Sequence, residues 1–384
     1  MKSSFAFDLP TRIEFGVNAQ EHLPKVTSRL GFNYPMIVTD NGVRRAGLID
    51  DLLSCMDDLH IPHEIFEDIE PNPKDYNVDR GVARILECGC DSIITVGGGS
   101  PMDCAKAMAA VATLGGSTHD YVNKGRINQK VLPIIAIPTT AGTGSEVTFG
   151  AVITHSERKF KFTIKGNTLA PKMALLDPNL TVTMPPPLTA ATGMDALTHA
   201  IEAYTAKKDH PISNSFALAS IDLIWHNLKS AFTQGTNIEA RAGMLLGSLM
   251  AGIAFSQSDV GAVHCIAEAL GGMYDIPHGV CNAVMLPTIM EYNLQYCRES
   301  YAQIATVMGI EWRNSEIGAH KAVEAVKKMA QDVELPNFSS FGINPGDFGE
   351  IAINSAENGS NASNARPMSS RDYEDILNKL YISW

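Results

Sequence analysis

The chain of 384 residues is 45% apolar and 19% charged, so we expect a large buried core shared by two domains. Its formal net charge of −12, without an offsetting basic run, argues against binding to nucleic acid or to anionic membranes. The seven cysteines form no CxxC pair and are expected to be reduced thiols. Because the first eight residues lack the apolar stretch of a signal peptide, we expect a cytoplasmic protein. The longest uncharged helical-looking stretch, 242–255, is typical of a buried core helix.

The first half of the chain alternates short apolar runs with stretches of helical spacing. The alternation predicts strands at 34–40, 61–66, 92–96 and 131–137, and helices at 76–88 and 103–114. Such an order is typical of a parallel sheet covered by helices. The first half is therefore predicted to be an α/β domain.

The proline triplet Pro185-Pro186-Pro187 interrupts this pattern, because a run of prolines continues neither a helix nor an interior strand. We place the domain boundary there, with residues 1–185 as the α/β domain and 186–384 as a helical domain. Beyond the triplet the strand signals nearly vanish. Helical spacing covers residues 189–204, 213–232, 239–255, 259–270, 281–292 and 316–332.

A glycine-rich loop follows the strand at 92–96 directly and leads into a helix. Gly97, Gly98, Gly99 and Ser100 would place free backbone N–H groups beside the positive end of the helix dipole, which favours a pyrophosphate. A tight turn would produce the same glycine run. The loop also lacks the GxGxxG pattern of the usual dinucleotide fingerprint.

A second loop, with Thr139, Thr140 and Thr143, follows the strand at 131–137, and ligands of open α/β sheets bind at such strand ends. These hydroxyls could equally stabilise an ordinary turn. Asp40 ends an earlier predicted strand and could bind an adenosine ribose. Its charge would repel a 2′-phosphate, which favours NAD over NADP, although a solvated strand-end acid fits the spacing as well.

Four residues in the second half could bind a divalent metal ion. Asp195 and His199 lie four apart in a predicted helix and share one face, and His264 and His278 follow downstream. Glu202, one turn beyond His199, is predicted to be structural. The oxygen and nitrogen donors suit Fe(II), Zn(II), Co(II) or Mn(II), whereas a helix-surface pair is the alternative for Asp195 and His199.

Four long motifs occur in this order in the chain. On these motifs the sequence resembles the iron-containing (group III) alcohol dehydrogenase family over nearly its entire length. The motifs are residues 97–106 (GGGSPMDCAK), 138–148 (PTTAGTGSEVT), 193–202 (GMDALTHAIE) and 277–279 (PHG). The resemblance implies the dehydroquinate synthase-like architecture: an α/β N-terminal dinucleotide-binding domain with a parallel sheet, a cleft, and an all-α C-terminal domain.

The same resemblance assigns roles to individual residues. It implies that Asp195, His199, His264 and His278 bind Fe(II), or in some members Zn(II). It implies NAD contacts from Asp40, from the loops at 97–100 and 139–140, and from Lys161. Phe149, Phe255 and Cys265 would line the substrate pocket, or all three would be core residues. A dimer or larger homo-oligomer is the family expectation.

One position departs from the family pattern. Many members carry a second histidine four residues after the ligand that corresponds to His264, and here that position is Glu268. We hypothesise that Glu268 exchanges the reaction proton with solvent; the alternative is that it is the hydrogen-bond partner of a ligating imidazole.

The expected activity is NAD-dependent oxidation of small primary alcohols or reduction of their aldehydes. A glycerol dehydrogenase-like polyol oxidoreductase and a lyase of the dehydroquinate synthase type share the predicted shape. The lyase would need several cations near the metal helices, and residues 185–279 contain few. A structural assembly protein is the non-enzymatic alternative, and four intact ligands argue against it.

Overall fold

The structure is a computed structural model that describes residues 4–122, 124–208 and 210–382. They form two compact units: Asp8–Thr183, and the described residues of Met1–Phe7 together with Met184–Trp384. The signal-peptide prediction concerns in part residues 1–3, which lie outside the described residues. All seven cysteines are free thiols.

The first unit contains a six-stranded parallel sheet with helices on both faces, in the order β1-β8-β5-β4-β2-β3, and a separate antiparallel pair, β6-β7. The strands are β1 (Arg12–Phe15), β2 (Pro35–Val38), β3 (Glu64–Phe66), β4 (Ser92–Gly97), β5 (Ile134–Pro138), β6 (Gly150–His155), β7 (Phe160–Lys165) and β8 (Met173–Leu176). The helices are α1 (Leu23–Leu30), α2 (Asn41–Arg45), α3 (Asp50–Asp58), α4 (Asp75–Cys88) and α5 (Gly99–Leu114).

Successive residues of the central strands point into two different cores. Met36 and Val38 of β2 pack with α4 and α5, whereas Ile37 between them packs with α1 and α3. A strand buried on both faces reads as a continuous apolar run, which is why the sequence revealed β2, β4 and β5. The predicted parallel α/β fold is confirmed.

The described residues of the second unit form helices joined by loops and contain no strand, as predicted. Its helices are α6 (Pro186–Thr205), α7 (Pro211–Thr233), α8 (Ile238–Ser258), α9 (Ala262–Tyr274), α10 (His278–Asn293), α11 (Arg298–Val307), α12 (Ser315–Asp332), α13 (Phe348–Glu357) and α14 (Ser370–Ile382). Pro185 is the N-cap of α6, and Pro186 and Pro187 occupy its first turn, where a missing N–H costs nothing. The proline triplet therefore starts a helix.

Two local features of this unit did not follow from the sequence pattern. The N-terminal segment packs on α7, where His210 Nε2 lies 3.0 Å from the Ala6 carbonyl and Phe7 stacks on Phe216. The predicted helix at 259–270 begins only at Ala262, because Asp259 has a φ of +79° and ends α8. Helix α8 is long and apolar enough to span a membrane. However, 61% of the apolar 18-residue stretch within it is buried inside the protein, as expected of a core helix.

Candidate metal centre and nucleotide loops

The four residues predicted to be metal ligands lie together in the helical unit. Asp195 and His199 belong to α6, His264 to α9 and His278 to the first turn of α10, and one ligand atom from each lies within 4.8 Å of all the others. Asp195 Oδ1 is 3.9 Å from both His199 Nδ1 and His278 Nε2. Asp195, His199 and His264 are buried, and His278 is half-buried.

Gly279 explains how the last of these residues reaches the cluster. A Cβ at this position would lie 2.8 Å from the Ala191 carbonyl oxygen and 3.4 Å from the Asp195 Cβ. Because contacts below 3 Å essentially do not occur, only glycine lets the first turn of α10 approach α6 this closely. The Pro-His-Gly motif thus positions His278 through backbone packing.

The sequence analysis predicted a structural role for Glu202, and the contacts of its carboxylate define what that role is. Its carboxylate accepts hydrogen bonds from the backbone N–H groups of Gly261 (2.9 Å) and Val263 (2.7 Å) and lies 2.5 Å from His264 Nδ1. It therefore caps α9 and fixes the orientation of the His264 ring, leaving Nε2 for a metal ion. The spacing of seven residues from Asp195, two helical turns on one face, was the signal for this role.

Burial and charge act differently on two of the imidazoles. Burial lowers the pKa of His199 to about 4, so its ring is neutral at neutral pH and keeps a lone pair. Burial also opposes the charged form of His264, but the Glu202 carboxylate outweighs it and raises the pKa of that ring.

The donor set fits a divalent metal ion. The buried His199 Nδ1 has no hydrogen-bond partner among the described residues, and the His199 ring stacks on Phe255 with 4.4 Å between the ring centroids. One carboxylate and three imidazoles, without sulfur, match the preferences of Fe(II) and Zn(II). A bound ion would give the buried His199 Nδ1 the partner that it lacks.

Asn282 is a further member of the cluster that the sequence analysis missed. Its amide nitrogen donates to Asp195 Oδ1 at 2.6 Å and lies 3.1 Å from His264 Nε2 and from His278 Nε2. The side chain is fully buried. It lies four residues after His278 on α10, which places both side chains on one helix face.

The α/β unit contains a second group of possible ligands, Asp75, His119 and His155. Here the polar atoms already satisfy one another. Asp75 Oδ2 lies 2.6 Å from His119 Nε2 and accepts the Ser156 N–H at 3.0 Å, and the two imidazole rings stack at 4.2 Å. We interpret this group as a hydrogen-bonded tie between α4 and the end of β6.

Apart from Lys161, the residues predicted to contact a nucleotide lie at the carboxyl ends of three neighbouring strands. Asp40 follows β2, the glycine loop ends β4, and Thr139, Thr140 and Thr143 follow β5. The chain crosses from β2 to the edge strand β3 and returns on the other side of β2 to form β4. Ligands of open α/β sheets bind at such a switch point.

The glycine loop and the threonine loop pack directly against each other. The Thr139 N–H donates to the Gly97 carbonyl at 3.0 Å. A Cβ at Gly99 would lie 2.7 Å from Thr143 Cγ2, and one at Gly98 would lie 3.1 Å from Thr140 Oγ1. Gly97 has a φ of +153°, which side-chain-bearing residues rarely adopt. Close packing therefore requires this glycine run, which brings the start of α5 against the side chains of Thr140 and Thr143.

Asp40 has two contacts that bear on its predicted role. Oδ1 accepts the N–H groups of Gly42 (2.7 Å) and Val43 (2.9 Å), so the residue is the N-cap of α2. Oδ2 lies 3.6 Å from the position of a Cβ on Gly97. A negative charge thus lies beside the glycine loop.

Lys106, which closes the first motif, anchors the threonine loop to α5. Its buried ammonium group donates to Ser145 Oγ (2.7 Å), Thr148 Oγ1 (2.8 Å) and the Gly150 carbonyl (3.0 Å). Burial lowers its pKa to about 8, against the opposing charges of Asp103 and Glu146. The sequence analysis did not single out this lysine, because only contacts reveal that it is buried.

The remaining predicted site residues occupy different environments. Lys161 lies on β7 and donates to Asn72 Oδ1 at 2.7 Å, and Phe149 is buried just before β6. Cys265 is fully buried on α9, and Glu268, one turn after His264, accepts from Asn358 Nδ2 at 2.6 Å. The partner of the His264 ring is Glu202, not Glu268. The functional roles of these four residues stay predictions.

Comparisons with known proteins identify relatives along the whole chain. Residues 10–178 match the model of the iron-containing alcohol dehydrogenases, and residues 189–381 match that of the C-terminal part of the Fe-containing alcohol dehydrogenase family. The 1,3-propanediol dehydrogenase of Klebsiella pneumoniae is 39% identical over 382 residues, covering 98% of this chain and 99% of the relative. The NAD-dependent methanol dehydrogenase of Bacillus methanolicus is 35% identical over 374 residues, covering 97% and 98%. A crystal structure of 1,3-propanediol oxidoreductase superposes with a TM-score of 0.95 at 39% identity, covering 98% and 100%.

Proposed function

The chain belongs to the iron-containing alcohol dehydrogenase family and is an oxidoreductase of that family, and on this basis we propose a more specific activity. It is an NAD(H)-dependent, metal-dependent enzyme that oxidises small primary alcohols or reduces the corresponding aldehydes. The observation that carries the proposal is the cluster of four ligand atoms within 4.8 Å of one another. A structural assembly protein would have no need of such a cluster.

Asp195, His199, His264 and His278 would hold a divalent ion, Fe(II) or Zn(II). A bound divalent ion supplies Lewis acidity toward the hydroxyl or carbonyl oxygen of a substrate. The protein contributes orientation: Glu202 holds the His264 ring, and the close approach at Gly279 holds His278. Phe255, stacked on His199, shields one side of the cluster from water.

The glycine and threonine loops would bind NAD, which supplies the hydride acceptor. The N-terminus of α5 offers backbone N–H groups and a positive dipole to a pyrophosphate, near the hydroxyls of Thr140 and Thr143. Asp40 would accept hydrogen bonds from the ribose hydroxyls and disfavour a 2′-phosphate. Lys161 is assigned to the same cofactor on the strength of the family pattern.

For substrate choice we propose small, uncharged alcohols and aldehydes, with Phe149, Phe255 and Cys265 near the reacting group. Two relatives are named for small alcohols, methanol and 1,3-propanediol. Basic residues that could select an anionic substrate are few around the metal motifs. A homodimer or a larger assembly is the further expectation, which light scattering would measure.

The deciding experiment is a panel of short aldehydes assayed with NADH and with NADPH, on protein purified anaerobically and analysed for metal. We expect one divalent ion per chain and aldehyde-dependent oxidation of NADH. Protein that binds the ion but oxidises neither NADH nor NADPH with any aldehyde of the panel would contradict the proposed activity. Protein that contains and takes up no divalent ion would contradict the metal centre itself.

A further inference from the structure

Asn282 occupies the middle of the candidate metal centre. Its amide nitrogen is 2.6 Å from Asp195 Oδ1 and 3.1 Å from the Nε2 atoms of His264 and His278. It therefore contacts three of the four ligand residues at the atoms that would bind an ion. The NH2 group carries two hydrogens, so it donates to Asp195 Oδ1 and to one imidazole nitrogen at a time, and each of these bonds uses a lone pair of its acceptor.

A metal ion and this amide nitrogen require the same space. Bonds from Zn(II) to nitrogen or oxygen ligands are about 2.0–2.2 Å long, so an ion bonded to these three atoms lies close to the position of the nitrogen. The ion would also use the lone pairs that accept from this amide. Binding of the ion and the observed position of Asn282 therefore exclude each other.

The amide oxygen of Asn282 does not hold the side chain in this position. Asn282 Oδ1 is buried and has no hydrogen-bond partner among the residues that the structure describes. The contacts that fix the side chain are thus those to the ligand residues themselves, and a rotation about its side-chain bonds costs the oxygen no hydrogen bond.

We propose that Asn282 is an internal competitor of the metal ion, an inference that rests on the metal centre of the proposed function. Its amide keeps the buried carboxylate and one imidazole at a time paired, and it must leave them before an ion can bind. The exchange lowers metal affinity and makes the bound ion easier to release. Asn282 is thereby a residue that sets metal affinity without being a ligand.

The test compares the affinities of wild type and Asn282→Ala for Zn²⁺, and for Fe²⁺ under anaerobic conditions, by competition with a chromogenic chelator. Removing the competitor leaves the ligand atoms unpaired, so we expect binding to tighten by about ten- to a hundred-fold, with slower release to the chelator. Asn293→Ala is the matched control, since Asn293 is also a buried asparagine of α10 but pairs with Asn364. Its affinity for the ion should equal that of wild type.

Equal or weaker binding by Asn282→Ala, with wild type binding one ion, would overturn this inference and leave the metal centre intact. Absence of binding by wild type would overturn both. If the alanine variant does not fold, Asn282→Ser offers a smaller perturbation and should bind more tightly than wild type by a smaller factor. The rise in Tm on saturation with Zn²⁺ should likewise be larger in the variant, because only its ion-free form loses a set of hydrogen bonds.

Discussion

At the scale of single residues, the candidate metal centre depends on buried polar side chains whose partners are few and specific. Glu202 satisfies two backbone N–H groups and one imidazole at once, so His264 presents its other nitrogen in a fixed direction. A buried network of this kind is stable only when most of its members are paired. Substitutions of these buried polar residues should therefore affect metal binding more than they affect the fold.

His264→Ala should lose both the bound ion and the dehydrogenase activity. The variant keeps Glu202 paired with the N–H groups of Gly261 and Val263, so α9 stays capped. Metal analysis and NADH oxidation measure the effect. His226→Ala, which removes an exposed histidine 3.1 Å from Asp222, is the control and should behave as wild type. A stoichiometric ion in His264→Ala would mean that the ligands are misassigned.

Glu268→Gln tests the proposed proton exchange. Glutamine preserves the shape of the side chain and can still accept from Asn358, but it cannot ionise. We expect kcat to fall by about tenfold or more and one limb of its pH profile to disappear, with metal content unchanged. Glu316→Gln, at an exposed position of α12, should leave both unchanged. Normal turnover and an unaltered pH profile at full metal occupancy would end the relay hypothesis.

At the scale of elements, strand ends and helix starts position the proposed nucleotide site. Strands β2, β4 and β5 are neighbours in the sheet, so the loops that follow them meet, although 99 residues separate Asp40 from Thr139 in the sequence. Parallel strands all end at one edge of a sheet, which is why a pattern of strands predicts the meeting of these loops.

Asp40→Asn should increase the use of NADPH relative to NADH. Asparagine retains a cap acceptor for the N–H groups of Gly42 and Val43, so α2 persists while the negative charge beside Gly97 is removed. The ratio of kcat/KM for the two cofactors should shift toward NADPH by about tenfold, since two like unit charges about 4 Å apart repel by about 1 kcal/mol in water and about 4 kcal/mol near a protein surface. Asp40→Gly should shift it in the same direction.

Asp50→Asn is the control, because Asp50 is an exposed acid in the first turn of α3. It should not alter the ratio. An unchanged NADPH/NADH ratio in both Asp40 variants would remove Asp40 from the cofactor site.

At the scale of the whole molecule, buried ionisable groups link stability to pH. Glu146 is 2% exposed, and its Oε1 has no partner among the described residues. Burial raises its pKa to about 7 from an ordinary value of 4.5, and its own backbone N–H and the Lys106 charge offset this only in part. The folded chain therefore binds the proton more tightly than the unfolded chain, so this group lowers the free energy of unfolding as pH rises from 4.5 to 7.

Glu146→Gln removes the ionisable group, and with it the decrease in the free energy of unfolding between pH 4.5 and pH 7. The variant should be more stable than wild type at pH 8, by up to about 2–3 kcal/mol, and the difference should shrink toward pH 5. Thermal unfolding at the two pH values measures it, with Glu157→Gln at an exposed position as the control. An equal difference in Tm at pH 5 and pH 8 would show that Glu146 does not titrate in this interval.

The sequence by itself determined the fold class, the family, and the buried strands and helices that carry the metal and nucleotide motifs. These follow from local periodicity and from short motifs whose members lie within a few turns of one another. It did not reveal the strands β1, β6, β7 and β8, or the helices α1, α2, α3, α11, α13 and α14. Short or half-buried elements have weaker patterns, since their packing partners decide which face is covered.

Tertiary structure alone decided the partners of the buried polar groups. Glu202 contacts His264 across 62 residues of sequence, Asn282 contacts Asp195 across 87, and Lys106 contacts Thr148 across 42. A hydrogen bond depends on distances of a few tenths of an ångström, which only the packing of whole helices fixes. The sequence therefore predicts which residue types gather, whereas the fold decides which of them bind, orient or compete.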